Sequence, residues 1–188
     1  MCGIAGFSLF NFNEGGETSL EAMHKAIHHR GPDASGMYID EHIGLCHRRL
    51  SILDLSEAGN QPMYSKEGDL VIVFNGEIYN FLELRAELEN DGVIFKSHTD
   101  TEVILELYAR EGTKCLDKLN GMFAFALWDK NKQELFIARD RLGKKPLYYF
   151  NDNGRFAFGS EIKAILALEN IPREIRLDAV YDFFAYQY

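Results

Sequence analysis

The sequence predicts an α+β fold in which mainly antiparallel sheets lie between layers of helix. Two observations carry this. Some strands are apolar on both faces, and amphipathic helices are present to cover them. A third observation sets the strand direction: hairpin signals are frequent and strand–helix–strand crossovers are few.

The elements follow in order. Residues 4–10 read as a strand. Thr18-Ser19-Leu20-Glu21 has the form of a capping box, and Leu20, Met23 and Ile27 continue at helical spacing. Arg30-Gly31-Pro32-Asp33 breaks that helix. Residues 70–74, Leu-Val-Ile-Val-Phe, form a continuous apolar run, as in a strand covered on both sides. A helix with Phe81, Leu84 and Leu88 on one side comes next. Thr99-Asp100-Thr101-Glu102 is a second capping box, opening a helix that turns Val103, Ile104, Leu107 and Tyr108 inward.

Residues 122–128 and 134–139 flank a polar turn, and residues 147–150 and 156–159 flank Asn151-Asp152-Asn153-Gly154; each pair predicts a hairpin. In the 122–128 strand, Phe123, Phe125 and Leu127 fall on one face. Residues 170–173 read as a linker, and a last helix begins near Leu177, with Asp178 as its candidate cap. The aromatic-rich stop at Tyr188 suggests a chain that continues in the full protein.

Composition narrows the function. The 188 residues carry 20 Lys and Arg against 29 Asp and Glu, a formal charge of -9. That balance argues against nucleic-acid or anionic-membrane partners. The N-terminus has no signal-peptide pattern, and no apolar run approaches the roughly 20 residues of a membrane-spanning helix. Cys2, Cys46 and Cys115 fit neither a zinc spacing nor a disulfide framework, so the expected compartment is the cytoplasm.

The N-terminus carries the chemistry. Initiator Met is commonly removed before a small residue, which would leave Cys2 with a thiol and a free α-amino group. An α-amino group has a pKa of about 7.7–8.0 and serves as a base near neutral pH. One residue then supplies both nucleophile and proton acceptor. Asn75-Gly76 follows the apolar 70–74 run. A side-chain amide beside an unhindered glycine N–H can form an oxyanion hole. Arg49 offers a planar fork for a carboxylate, and Glu77 and Asp100 offer acceptors for an ammonium. Together they suit an α-amino acid. Taken singly, each has a plainer reading: Arg49 as a surface ion pair, Asp100 as a helix cap in competition with Thr99.

Nine segments in order then carry a resemblance. They are Met1-Cys2-Gly3-Ile4-Ala5-Gly6, His29-Arg30-Gly31-Pro32-Asp33, His47-Arg48-Arg49-Leu50-Ser51-Ile52, Gln61-Pro62-Met63, Phe74-Asn75-Gly76-Glu77-Ile78-Tyr79-Asn80, Asp100-Thr101-Glu102-Val103-Ile104, Leu119-Asn120-Gly121-Met122-Phe123-Ala124-Phe125-Ala126, residues 138–149 with Arg139-Asp140 and Gly143-Lys144-Lys145-Pro146, and Ser160-Glu161-Ile162-Lys163-Ala164. In this series the chain resembles the class II, N-terminal-nucleophile glutamine amidotransferase domain of glutamine-hydrolysing asparagine synthetases.

The resemblance implies a four-layer αββα sandwich of the N-terminal-nucleophile hydrolase type. It implies that Cys2 attacks glutamine to give a γ-glutamyl thioester, with Asn75 and the Gly76 N–H stabilising the oxyanion. Arg49, helped by the backbone of Leu50, Ser51 and Ile52, would hold the substrate carboxylate, and Glu77 and Asp100 its ammonium. The Arg30–Asp33 segment corresponds to a loop that closes over glutamine. Residues 1–169 would be the glutaminase domain, and residues 170–188 a linker and the start of a C-terminal synthetase domain. No cofactor is expected in the glutaminase domain; ATP and Mg belong to the synthetase domain, whose phosphate loop has no counterpart here. A homodimer is left open.

Other readings stand beside this one. The chain could be a glutamine-binding or regulatory module of weak turnover. It could equally be the amidotransferase half of an enzyme that aminates a different carboxylate, in a sugar or antibiotic pathway. A self-processing peptidase of the same superfamily fits less well, because the candidate nucleophile directly follows Met1.

Overall fold

Among the described residues, four layers are built from nine strands and five α-helices. The computed structural model describes residues 1–8 and 16–187. The first sheet holds β1 (Gly3–Ser8), β2 (Ala34–Ile39), β3 (Ile43–Arg49), β8 (Tyr148–Asp152) and β9 (Arg155–Gly159), in the order β2-β3-β1-β9-β8. The second holds β4 (Met63–Tyr64), β5 (Leu70–Ile78), β6 (Gly121–Asp129) and β7 (Glu134–Arg139), in that order. Every strand pair is antiparallel. The helices are α1 (Gly16–Ala26), α2 (Phe81–Asn90), α3 (Asp100–Glu111), α4 (Ile162–Ile165) and α5 (Leu177–Tyr186).

The two-residue period of β6 explains the layering. Phe123, Phe125 and Leu127 face outward into a core with Leu84 and Leu88 of α2 and Ile104, Leu107 and Tyr108 of α3. The residues between them, Ala124 and Ala126, face the other sheet and meet Ile4, Leu45, Val71, Val73 and Phe158. Large side chains thus anchor helices, and small ones let the sheets stack. Behind the first sheet, Leu20 and Met23 of α1, Ile27 and α4 residues Ala164 and Ile165 pack on Phe7 and Cys46. The order is helix, sheet, sheet, helix, the predicted αββα sandwich.

Several local expectations change. The first strand is seen over Gly3–Ser8; Leu9 and Phe10 lie outside the described residues. Helix α1 already runs from Gly16, so Thr18 sits within its first turn and does not cap it. Of the second capping box only the Thr99 half forms: Thr99 Oγ1 accepts from Glu102 N at 3.2 Å, while Thr99 N donates to Ser97 Oγ. Its Glu102 carboxylate, however, accepts from Lys96 N and Ser97 N, upstream of the cap residue. The 70–74 strand continues through Asn75-Gly76 to Ile78 and stays paired with β6 throughout. The β2–β3 hairpin was not anticipated; its turn is tied by Asp40, which accepts from His42 N and Ile43 N. At α5 the N-cap residue is Arg176, without a side-chain cap bond, and Asp178 pairs with Arg176 instead. No residue of α5 is buried.

One loop is organised around a single carboxylate. Asp140 accepts from Leu142 N and Lys144 N through Oδ1, and from Phe123 N and Lys145 N through Oδ2. Burial alone would raise its pKa, but these four donors outweigh it and hold the carboxyl below its usual range. Asp140→Ala leaves all four N–H groups without that acceptor. The expected loss is about 2–3 kcal/mol of stability, or a fall of very roughly 5–10 °C in Tm by thermal unfolding. An unchanged Tm would show that water replaces the carboxylate without cost.

Candidate active site

Cys2 immediately precedes β1, the middle strand of the first sheet, so its backbone is fixed from several sides. Arg30 Nε donates to Cys2 O at 2.9 Å, while Arg30 Nη1 donates to Glu161 Oε1 at 3.0 Å. The half-buried thiol lies against Leu50: Leu50 N donates to Sγ at 3.4 Å, and Sγ donates to Leu50 O at 3.5 Å. Burial pushes the Cys2 thiol above its ordinary pKa, with Leu50 N, the chain terminus, Arg49 and Lys145 pulling the other way. The thiol is therefore not activated by its surroundings alone.

Across the pocket, β5 presents Asn75, Gly76 and Glu77. Asn75 is 1% exposed, and its Nδ2 is buried without a hydrogen-bond partner. Such an orphaned donor is uncommon in a folded protein. On the same strand, Phe74 N donates to Gln61 Oε1 and Ile78 N donates to Asp100 Oδ2. Since backbone groups of a strand alternate sides, the Gly76 N–H between them points the same way, away from β6 and toward the pocket. Glycine is required at this point. A Cβ on Gly76 would lie 2.5 Å from Met122 O and 2.8 Å from Phe123 Cα.

The charges form two pairs. Arg49 and Lys145 are the cations lining this pocket, and Glu77 and Asp100 the anions. Arg49 leaves the end of β3 and turns into the 53–60 segment. Nη1 donates to Ser56 O and Asn60 Oδ1, and Nη2 to Leu53 O and Asp54 O. Its terminal nitrogens are thus engaged by acceptors of the chain, and the fork is not free in this structure. Lys145 is 6% exposed, and its Nζ meets Met1 Sδ at 3.7 Å. Asp100 opens α3, where Thr99 supplies the cap, so its own carboxylate is released to the pocket. Burial, opposed by the Ile78 N–H and reinforced by the neighbouring Glu77, pushes Asp100 up to about 7. Burial also raises Glu77, with Lys145 opposing.

Eight of the nine residues singled out from sequence therefore line one pocket: Cys2, Arg49, Leu50, Ile52, Asn75, Gly76, Glu77 and Asp100. Ser51 does not. Its N–H is bound to Asp33 Oδ2 at 2.8 Å, and it lines a neighbouring cleft with Asp33, Ser56 and Asn60. The Arg30–Asp33 segment is pinned to Cys2 and β3, with Asp33 N donating to Arg49 O at 3.0 Å. Sequence reasoning passed over Lys145, Gln61 and Thr101, which also line the pocket. Lys145 was legible only as part of an Arg-Asp-x-x-Gly segment whose buried aspartate sets its position. Among the described residues no cluster of three or more His, Cys, Asp or Glu could hold a metal ion, and no helix is long and apolar enough to cross a membrane. All three cysteines are free thiols.

Comparison with known proteins decides the family. A profile of the glutamine amidotransferase domain matches residues 1–188. The chain belongs to that family. Among curated relatives of this amidotransferase domain, glutamine-hydrolysing asparagine synthetase 1 of Bacillus subtilis is 42% identical over 193 residues, covering 100% of this chain and 30% of the relative. Asparagine synthetase B of Escherichia coli is 46% identical over 143 residues, covering 76% of this chain and 26% of the relative. The amidotransferase domain thus spans about a third or less of these relatives. In fold it resembles glutamine phosphoribosylpyrophosphate amidotransferase of B. subtilis, complexed with ADP and GMP (TM-score 0.76, 22% identity, 88% of this chain and 43% of that one).

The Asp100 carboxyl makes the domain sensitive to pH. Its folded pKa lies above the unfolded value, so the native state holds a proton that the unfolded state has released. The stabilising contribution is complete below about 4 and is lost as pH rises through about 7. Asp100→Asn removes this penalty and keeps an acceptor for Ile78 N. Relative to wild type it gains on the order of 2 kcal/mol between pH 5 and pH 8 in chemical denaturation. A pH-independent difference would mean that Asp100 is ionised throughout.

Proposed function

We propose that this domain hydrolyses L-glutamine to glutamate and ammonia through a γ-glutamyl thioester on Cys2. The observation that carries the reading is the buried, unpartnered Asn75 Nδ2 in the pocket that holds the thiol. An amide donor left without a partner is expensive unless something that forms during the reaction uses it. The four charges support glutamine as the substrate, because a zwitterion needs both signs at once.

Removal of Met1 frees the α-amine of Cys2, which takes the thiol proton directly or through one water. The thiolate attacks the side-chain carbonyl carbon of glutamine, and the oxyanion that forms meets Asn75 Nδ2 and the Gly76 N–H. The α-ammonium returns its proton to the departing nitrogen, ammonia leaves and the thioester remains. Water then adds with the amine again as base, the oxyanion returns to the same donors, and glutamate departs as the thiol regains its proton. Glu77 and Asp100 hold the substrate ammonium, which draws Asp100 back to its ionised form. Arg49 holds the substrate carboxylate, with Leu50 to Ile52, by trading acceptors of the 53–60 segment for carboxylate oxygens.

The relatives' names and lengths support the wider setting. Residues 1–169 act as the glutaminase, and residues 170–188 lead to a synthetase domain that takes up the ammonia. Its acceptor is aspartate, its ATP and Mg are bound outside these 188 residues, and the protein works in the cytoplasm.

With Met1 attached, the Cys2 nitrogen is an amide and carries no basic lone pair. A chain that retains Met1 is expected to release ammonia at least about 10²-fold more slowly than one beginning at Cys2, the scale of a lost general base. Intact mass, ammonia release and alkylation by diazo-oxo-norleucine test this together. Equal turnover by both forms would exclude the amine as base. Asn75→Ala in the processed chain should lower kcat by about 10²-fold or more with little change in KM. An unchanged kcat would remove Asn75 from the oxyanion hole.

A further inference from the structure

We propose that His47 and Gln61 are positioning residues, which clamp the backbone N–H and C=O on either side of the Phe74 Cα and so aim the Asn75 and Gly76 donors at the reacting carbonyl. The proposal rests on the glutamine-hydrolysis reading above and adds two residues to it.

The geometry begins with a strand that stops early. β4 pairs with β5 only at Met63–Ile72 and Tyr64–Val71. Continuing that register would set Gln61 opposite Phe74, where a backbone-to-backbone ladder would normally go on. There the ladder is replaced by side chains. Gln61 Oε1 accepts from Phe74 N at 2.6 Å, and His47 Nε2 lies 3.1 Å from Phe74 O. One residue ahead of the orphaned Asn75 amide, both backbone groups that Phe74 turns away from β6 are therefore held by side chains.

Each clamp is itself held. Gln61 Nε2 donates to Thr101 Oγ1 at 3.1 Å, in the first turn of α3. Behind it β2 approaches closely: a Cβ on Gly36 would lie 2.4 Å from Gln61 O. His47 is fully buried in β3, two residues before Arg49 on the strand that pairs with β1. Its bond to Phe74 O crosses from the first sheet to the second. Burial, opposed by the bond to Phe74 O and aided by the nearby Arg49, pushes the imidazole down to about 3, so it stays neutral and carries one N–H. A carbonyl partner assigns that hydrogen to Nε2, and Nδ1 is left buried without a partner. His47 thus ties the strand of the oxyanion donors to β3, the partner of the strand that follows Cys2, and Gln61 ties it to α3.

His47 lies outside the pocket lining, and the Gln61 amide, although it lines the pocket, is committed to Phe74 N and Thr101, so the effect should fall on kcat. Three variants of the full, Met1-free chain test it. His47→Leu removes the N–H donor, His47→Gln keeps an N–H at nearly the Nε2 position, and Gln61→Met removes acceptor and donor at similar volume. His47→Leu and Gln61→Met should each lower kcat for ammonia release about tenfold or more with KM within about twofold, and His47→Gln should recover to within about threefold of wild type. Amide hydrogen exchange provides a readout that needs no turnover. Exchange in a peptide spanning residues 72–78 should accelerate in the two loss variants, while that of β1 is unchanged. A wild-type chain that releases no ammonia would defeat the glutamine-hydrolysis reading, and the exchange data would then decide the clamp alone. Normal kcat with normal exchange in both loss variants would overturn the clamp, as would His47→Gln behaving like His47→Leu.

Discussion

The site depends on an interruption of the second sheet. β5 is paired with β6 along its whole length, yet β4 covers only Val71 and Ile72 on the other side. Beyond that point the backbone of Phe74, Gly76 and Ile78 faces open space, and each exposed donor must be dealt with separately. Gln61 takes the first and Asp100 the third. The second remains turned to the pocket. A strand paired on both sides would offer no donor, and one with a wholly open edge would offer three with no preferred place for an oxyanion.

The charges obey a related constraint. Two carboxylates and two cations line a small recess, and each depends on chain elements for its position. Asp100 is free to face inward only because Thr99 takes over the cap of α3. Lys145 is buried only because Asp140 gathers the loop before it. Arg49 is anchored by acceptors of the 53–60 segment, so its availability to a ligand is bound to the conformation of that segment. Thus the recess holds ligand-sized charge with its donors and acceptors already partly committed to the chain.

Much of this was legible in the sequence, for identifiable reasons. The β6 strand announces itself because both faces are apolar and its neighbours differ in size, Phe beside Ala, as two unlike layers require. Helix α3 announces itself through Thr99 and Glu102. The β2–β3 hairpin did not, because its turn is secured by Asp40 accepting from backbone and from Trp128 Nε1, a contact 88 residues away. Asn75-Gly76 read as lying just beyond the apolar 70–74 strand, and only cross-strand pairing reveals it as continuing strand. For the site, residues of unusual chemistry stood out. Gln61 and His47 were legible only as members of the resembling segments, since their task lies in what they hold and nothing in their own identity signals it.

The interrupted edge also bears on how the protein keeps to itself. An unpaired stretch of strand is a template on which a strand of another molecule can assemble, the usual beginning of sheet-to-sheet aggregation. Gln61 and His47 occupy the hydrogen-bonding positions that such an intruder would need first. The gap is therefore closed to a further strand while the Gly76 N–H beyond it stays turned to the pocket, a selection made by the backbone itself.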